Sequence, residues 1–599
     1  MKVIYLALNI FLFILSAALI TLCSLHLAYG NYDISIFRGY FEHPLILLLN
    51  FLPVLLIEVF LYFAINRMWI AFLSTAVIIL TASAGNFFKL LFRSDPFMFS
   101  DVTAINTALG VAGGYDIKLN PILTATIFSV LAMAAVLFFF AKCRIDPPAR
   151  VLSATALFVV ATVLWQNVYS SDRIYKEETD VGKEINSWIS TQVYISKGFV
   201  YPFIYSVKDT MDIAPDGYDA DEAAALLAEY ETSDIPEGRK INVIALQLEA
   251  YTDFTCLGIG GICDDVYSFY HQLERESYTG NLITNAFAGS TVNTERCFLT
   301  GYPRLIDFRQ QTPSYVWYFK NQGYSTVGSH PYHFDYYNRR SVNANLGFDE
   351  YYFYEGHYDK MFTDKSYNND DQLFSDILSI YRENLKSGKP VFSYSVTLQG
   401  HGPYITDYII WPKEYWYNYN NYSEYAYYVM NNYLGSLANT GENISRMIDE
   451  LRDDEAPVVV VLYGDHKPWL GDNNSVYKEL GIDLDLSTYD GVRNYYSTRY
   501  LIWANNSAKE IIGEDFAGEG PDISPCYLMN ILFERLGWEG NSYMKFTNGI
   551  RETLPVVNKQ GCYVEGDVYT NKLSPEGQEK FSDLLNVQYY LRNSKDVMS

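Results

Sequence analysis

Five long apolar stretches, at residues 3–29, 44–65, 69–92, 120–141 and 151–169, constrain everything else this chain can fold into. Each is near the roughly 20 residues that an α-helix needs to cross a bilayer. A cleaved signal peptide would account for the first stretch but not for the four behind it. A single segment of this kind reads equally well as a buried helix of a water-soluble protein; five in succession do not. Trp69, Trp165 and Tyr169 fall near segment ends, where amphipathic rings favour the membrane interface. Residues 1–170 are therefore expected to form a five-helix transmembrane domain.

Charge divides the chain at the same place. Up to residue 171, nine Lys and Arg stand against seven Asp and Glu, a balance of +2; the whole chain carries −25, so the remainder carries −27. An acidic module of this kind excludes nucleic acid as a partner, because that needs a basic footprint. An anionic substrate stays compatible with it, provided local cations or a metal reverse the field at the site. Arg67, Lys142, Arg144 and Arg150 lie in short turns, which the positive-inside tendency puts in the cytoplasm with the N-terminus. Lys89, Arg93 and Lys118 run against that trend. Five spans then carry the acidic module outside. Cys256 and Cys263 bracket "CLGIGGIC" at a spacing compatible with a small disulfide loop. With Cys297, Cys526 and Cys562 the count outside is odd, so complete pairing within one chain is impossible.

Residues 171–240 are polar with amphipathic segments such as "SWISTQVYISKGFVYPFIYSV" and "DADEAAALLAEYE", and are expected to form a stalk. From 241 to 599 near-continuous apolar runs, among them "INVIALQLEA", "VFSYSVTLQGHG" and "APVVVVLYGDH", alternate with helical segments. That alternation predicts an α/β domain around a mostly parallel sheet covered on both faces. The tract "WPKEYWYNYNNYSEYAYYVMNNY" reads as a Tyr-rich loop and helix packed on this domain.

In open α/β sheets ligands collect at the carboxyl ends of the strands. The strand-like runs end at Glu249, at Asp465 and His466, at His401 and at His330. Thr291 follows "NLITNAFAGS" and opens a helix. Two carboxylates, an imidazole and a hydroxyl at one rim suit a divalent metal of intermediate hardness, Mn²⁺, Mg²⁺ or Zn²⁺. Coordination would activate the weakly nucleophilic Thr291 hydroxyl, and the amides at the helix start would favour a phosphate there. A capping role for Thr291 is the plainer alternative, compatible with the first.

"GSTVNTERCFLTG", "HPYHFDYYNRRSVNANLGFDEYY", "LQGHGPY" and "LYGDHKP", behind five spans and the "GFVYPFIYS" segment, resemble the lipoteichoic acid synthase family of the alkaline phosphatase and sulfatase superfamily. The resemblance covers nearly the whole chain. It implies an extracellular sulfatase-like catalytic domain on a cell-membrane anchor. It also implies a metal, usually Mn²⁺, held by Glu249, Thr291, Asp465 and His466, with Thr291 as nucleophile. His330, Tyr337, Arg339 and His401 match positions that contact the phosphoglycerol group. The implied reaction transfers glycerophosphate from phosphatidylglycerol, or another anionic lipid donor, to a polymer or glycolipid acceptor through a phospho-threonine intermediate. Two departures stand out: Tyr337 replaces a frequent Trp, and Arg296 follows "NTE" where the family usually has Phe. The Cys-x-Pro-x-Arg motif of ordinary sulfatases is not matched by "CFLTGYPR". Phosphoethanolamine transferases and phosphodiesterase-type hydrolases would use the same site. A sensor or scaffold with a vestigial site is the non-enzymatic alternative.

Overall fold

The computed structural model describes residues 2–29, 34–93, 96–103, 121–179, 190–210, 214–215, 217–303, 308–362, 370–417, 422–471, 474–558 and 561–593. Part of the expected stalk, 180–189 and 211–213, lies outside these residues. The chain divides into two compact units, one of Met1–Ile213 with Asp335–Asn338 and one of Ala214–Phe334 with Arg339–Ser599.

The first unit contains five helices long and apolar enough to span a membrane: Ala7–Ala28, Pro44–Ile65, Met68–Leu90, Pro121–Phe140 and Pro147–Tyr169. These coincide with the five apolar stretches of the sequence, and the chain is a multi-pass membrane protein. Large apolar side chains such as Phe128, Phe140, Leu152 and Phe158 point outward. Outward-facing apolar surface on a helix bundle is what a lipid solvent requires.

The second unit is built on a sheet of eight strands: β1 (Asn242–Leu248), β2 (Tyr278–Ile283), β3 (Ser325–Ser329), β4 (Glu350–Tyr352), β5 (Val391–Val396), β6 (Val458–Gly464), β7 (Ser497–Ala504) and β8 (Gly518–Glu519). Their order across the sheet is β4-β3-β5-β1-β6-β7-β2-β8. Within this sheet only β7 runs antiparallel to the rest, so β1, β2, β3, β5 and β6 all end on one rim. The sheet is thus mostly parallel. Every residue of β1, β5 and β6 is buried, which explains why these strands read as continuous apolar runs.

The two faces separate by strand alternation. Val243, Ala245, Val459 and Val461 join one core with helices that include Thr291–Thr300 and Leu528–Leu536. Ile244, Leu246, Val460 and Leu462 join a second core under Asp370–Leu385 and Glu424–Arg452. The Tyr-rich tract ends in the last of these helices. Cys256 and Cys263 are not bridged to each other, so the small disulfide loop considered above is not formed. The thiols of Cys256 and Cys263 point to different partners, Asp253 Oδ2 and the Glu414 carbonyl.

Candidate active site

Strand register brings the acidic side chains together. Leu248 of β1 pairs with Gly464 of β6, so the next residues of the two strands, Glu249 and Asp465, leave the sheet side by side. Two glycines permit the tight fit around them. A Cβ on Gly464 would stand 2.0 Å from the Tyr251 carbonyl oxygen, and one on Gly400 would stand 2.1 Å from that of Glu249.

Thr291 arrives from β2 by way of an unusual turn. Ala288, Gly289 and Ser290 have φ of 55°, 142° and 65°, a left-handed run that non-glycine residues enter at a cost. Thr291 is then the first residue of the helix Thr291–Thr300, and Ser290, its N-cap, makes no side-chain capping bond. The Thr291 hydroxyl instead donates to Glu249 Oε2 at 3.1 Å. Between capping and chemistry, this hydroxyl is not spent on capping.

Glu249, Asp465 and His466 converge, each offering one ligand atom within 4.8 Å of the others. All are buried. His466 Nδ1 donates to the Lys467 carbonyl at 2.8 Å, which leaves the Nε2 lone pair facing inward. That nitrogen lies 3.5 Å from Glu249 Oε1, 3.4 Å from Asp465 Oδ2 and 3.5 Å from Thr291 Oγ1. Asp465 Oδ1 accepts from the Ala250 amide at 2.8 Å, whereas Oδ2 is buried with no hydrogen-bond partner. Lone pairs aimed at one another around an orphaned carboxylate oxygen fit a divalent cation. Glu249, Asp465, His466 and Thr291 are the residues that would hold it.

Burial first, and then the neighbouring Asp465, raise the Glu249 carboxyl from its ordinary value to about 8. Between the unfolded value and about 8 the metal-free fold therefore holds more protons than the unfolded chain. Its stability is fully present below the unfolded value and declines as pH rises through the folded one. Calorimetry of the EDTA-treated chain should show the unfolding temperature of this domain falling from pH 5 to pH 8. Added Mn²⁺ should raise it most at the alkaline end, where no proton has to be displaced.

His330 is buried at the exit of β3. Its Nδ1 donates to the Val396 carbonyl at 3.0 Å. Burial, reinforced by the Arg339 charge, holds its pKa well below the ordinary histidine value. It is a neutral imidazole whose Nε2 can accept a hydrogen bond. Arg339 is 2% exposed and lies close enough for its charge to act on both His330 and Glu249. Its Nε and Nη2 donate to Glu295 Oε2 at 3.1 and 2.9 Å. His401 lies five residues beyond the end of β5, exposed, with Nδ1 against the Gly402 carbonyl. Tyr337, at φ 55° in the turn Tyr336–Asn338, groups with the first unit. Arg296 lays its guanidinium over the Phe308 ring.

Sequence reasoning missed two residues. Glu295 is the partner that orients Arg339, and one signal pointed to it: it stands one helical turn after Thr291 and so shares its face. Lys467, directly after His466, is buried with its pKa lowered to about 8 by that burial. Its position next to a site histidine was the only available hint.

Residues 261–534 match the family model described as Sulfatase. A candidate cyclic beta-1,2-glucan modification protein of Rhizobium meliloti (strain 1021) is 25% identical over 388 residues, which are 62% of this chain. The chain spans only 57% of that relative's length. Among solved structures, the Streptococcus pyogenes phosphoglycerol transferase GacH in complex with sn-glycerol-1-phosphate has 20% identity and a TM-score of 0.46, covering 63% of this chain and 94% of that one. The lipoteichoic acid synthase LtaP from Listeria monocytogenes has 17% identity and a TM-score of 0.43, covering 62% and 97%. The integral membrane lipooligosaccharide phosphoethanolamine transferase A from Neisseria meningitidis has 12% identity and a TM-score of 0.37, covering 89% and 97%. The second unit carries the match to the Sulfatase family model and is a sulfatase-like α/β domain, and five helices long and apolar enough to cross a membrane precede it in the sequence.

Proposed function

We propose that this protein is a metal-dependent phosphoglycerol transferase. It takes glycerophosphate from phosphatidylglycerol and passes it to a growing teichoic-acid-type polymer or a glycolipid acceptor, with its catalytic domain outside the cell membrane. One observation carries the reading: the Thr291 hydroxyl, at a helix start yet free of capping duty, bonds Glu249 in a buried acid–imidazole cluster.

Thr291 Oγ1 attacks the phosphorus, and the P–O bond to diacylglycerol breaks. Glu249 Oε2, which already accepts from this hydroxyl, is the group placed to hold its proton. A divalent ion, Mn²⁺ in this reading with Mg²⁺ or Zn²⁺ as alternatives, supplies Lewis-acid charge for the phosphoryl oxygens and favours the deprotonated threonine. Arg339, oriented by Glu295, adds positive charge for the phosphate. Neutral His330 accepts from a glycerol hydroxyl, and His401 gives a proton to the departing diacylglycerol oxygen. An acceptor hydroxyl then gives its proton back to His401 as it attacks the same phosphorus, the bond to Thr291 breaks, and Thr291 Oγ1 regains its proton from Glu249.

The test uses the full chain in liposomes with Mn²⁺ and phosphatidylglycerol carrying a fluorescent acyl chain. Diacylglycerol should appear together with a lengthening glycerophosphate product. Free glycerophosphate alone would reassign the protein as a hydrolase. Release from phosphatidylethanolamine but not from phosphatidylglycerol would overturn the donor and favour phosphoethanolamine transfer.

A further inference from the structure

Lys467 presents a charge that nothing in the transfer reaction uses. Its side chain is 3% exposed. The ammonium makes one hydrogen bond, to Thr252 Oγ1 at 3.0 Å, and no ion pair among the described residues. A buried ammonium has three donors and a large desolvation cost, and it persists where an acceptor of opposite charge meets it. This one lines a cavity of about 510 Å³ that also takes in Thr252, Asn281, Arg493 and Arg499.

The other cations there are already ion-paired. Arg499 bonds Glu274 at 3.0 Å and Glu519 at 3.2 Å. Arg493 faces Asp522 at 3.6 Å. The one buried acid on the wall, Asp253, is held by His271 at 2.6 Å. Lys467 is thus the cation of this wall with no acid at ion-pair distance among the described residues. The mouth has the opposite sign: Asp483 and Asp490 line the same cavity and are exposed.

We propose that this cavity is a second ligand site, separate from the Thr291 centre, that binds a small phosphate-bearing molecule with its oxyanion on Lys467 and its neutral or cationic remainder towards the acidic mouth. Field and size both select against a long polyanion, whose further charges would have to pass Asp483 and Asp490. The site is wired to the reaction centre by backbone alone. The Lys467 carbonyl accepts from His466 Nδ1 at 2.8 Å and from the Ala288 amide at 3.0 Å. A ligand that fixes Lys467 thus braces both the imidazole and the turn leading to Thr291.

The test is binding to the detergent-solubilised full chain in EDTA, where the carboxylates of the Thr291 centre repel anions. Inorganic phosphate and phosphocholine are titrated by calorimetry, with a glycerophosphate polymer alongside. Wild type should bind one equivalent of either small probe, and each should raise its unfolding temperature. Lys467→Met, which keeps the apolar stem, should weaken binding by at least about tenfold, the scale of one charge-assisted contact. The variant should nevertheless unfold no earlier than wild type without ligand, because it removes an uncompensated buried charge. Arg493→Gln should weaken binding severalfold and Asp465→Asn should leave it unchanged. Absence of phosphate binding to wild type, equal binding by Lys467→Met, or loss of binding in Asp465→Asn would each overturn the site. Tighter binding of the polymer per phosphate would overturn the small-ligand assignment.

Discussion

Thr291→Ala is expected to lower diacylglycerol release by at least about 10⁴-fold, the scale seen when a catalytic nucleophile is removed. Its unfolding should stay close to wild type, and it should still take up metal through the three remaining ligands, more weakly for the loss of one oxygen. The separation follows from the local geometry. The helix begins at Thr291, but the hydroxyl points to Glu249 and caps nothing. Alanine therefore costs the helix little, and it leaves Glu249, Asp465 and His466 in place to bind Mn²⁺. Thr291→Ser keeps the oxygen and should retain measurable turnover. A capping residue would behave in the opposite way, with about 1 kcal/mol lost from stability and turnover nearly intact. Single-turnover release, Mn²⁺ binding followed by electron paramagnetic resonance, and denaturant unfolding on the same preparations separate the two. More than a few per cent residual release by the alanine variant would remove Thr291 from the mechanism.

The second large effect is on stability. Glu295 and Arg339 are 1% and 2% exposed and form a two-nitrogen ion pair under the site. Removing Arg339 strands the buried Glu295 carboxylate, which costs about 3–5 kcal/mol. Arg339→Met should lower the unfolding free energy of the second unit by that amount, and Glu295→Ala should lower it as well. The Glu295→Met, Arg339→Met double variant should recover much of the loss, because it removes both charges and fills the space. All three should impair head-group release, since none keeps an oriented cation beside His330. An Arg339→Met variant that unfolds at the wild-type midpoint would overturn the pair as a source of stability.

The sheet and the convergence of its acids and imidazole were legible in the sequence for one reason. β1 and β6 are buried on both faces, so they print as uninterrupted apolar runs, and each run ends on an acid. Parallel strands then bring those ends to one rim, and Glu249, Asp465 and His466 follow. His330 was placed by the same logic. His401 was placed less closely: β5 stops at Val396 and the chain runs on through Gly400 before the imidazole. The Glu295–Arg339 pair lies 44 positions apart in sequence, and only packing of two separate helices creates it. The left-handed turns were hidden for another reason. Positive φ is ordinarily announced by glycine, and here Ala250, Ala288 and Ser290 adopt it.

The turn at Ala288 and Ser290 sets two kinds of selection against each other. A chain optimised only to fold would place glycine at both positions and relieve on the order of 1 kcal/mol at each. Such a chain would also surrender the stiffness that delivers a threonine hydroxyl to Glu249 rather than to its own helix. Variants recovered in a screen for thermal robustness should therefore concentrate in this tripeptide, and they are the variants least worth keeping as catalysts.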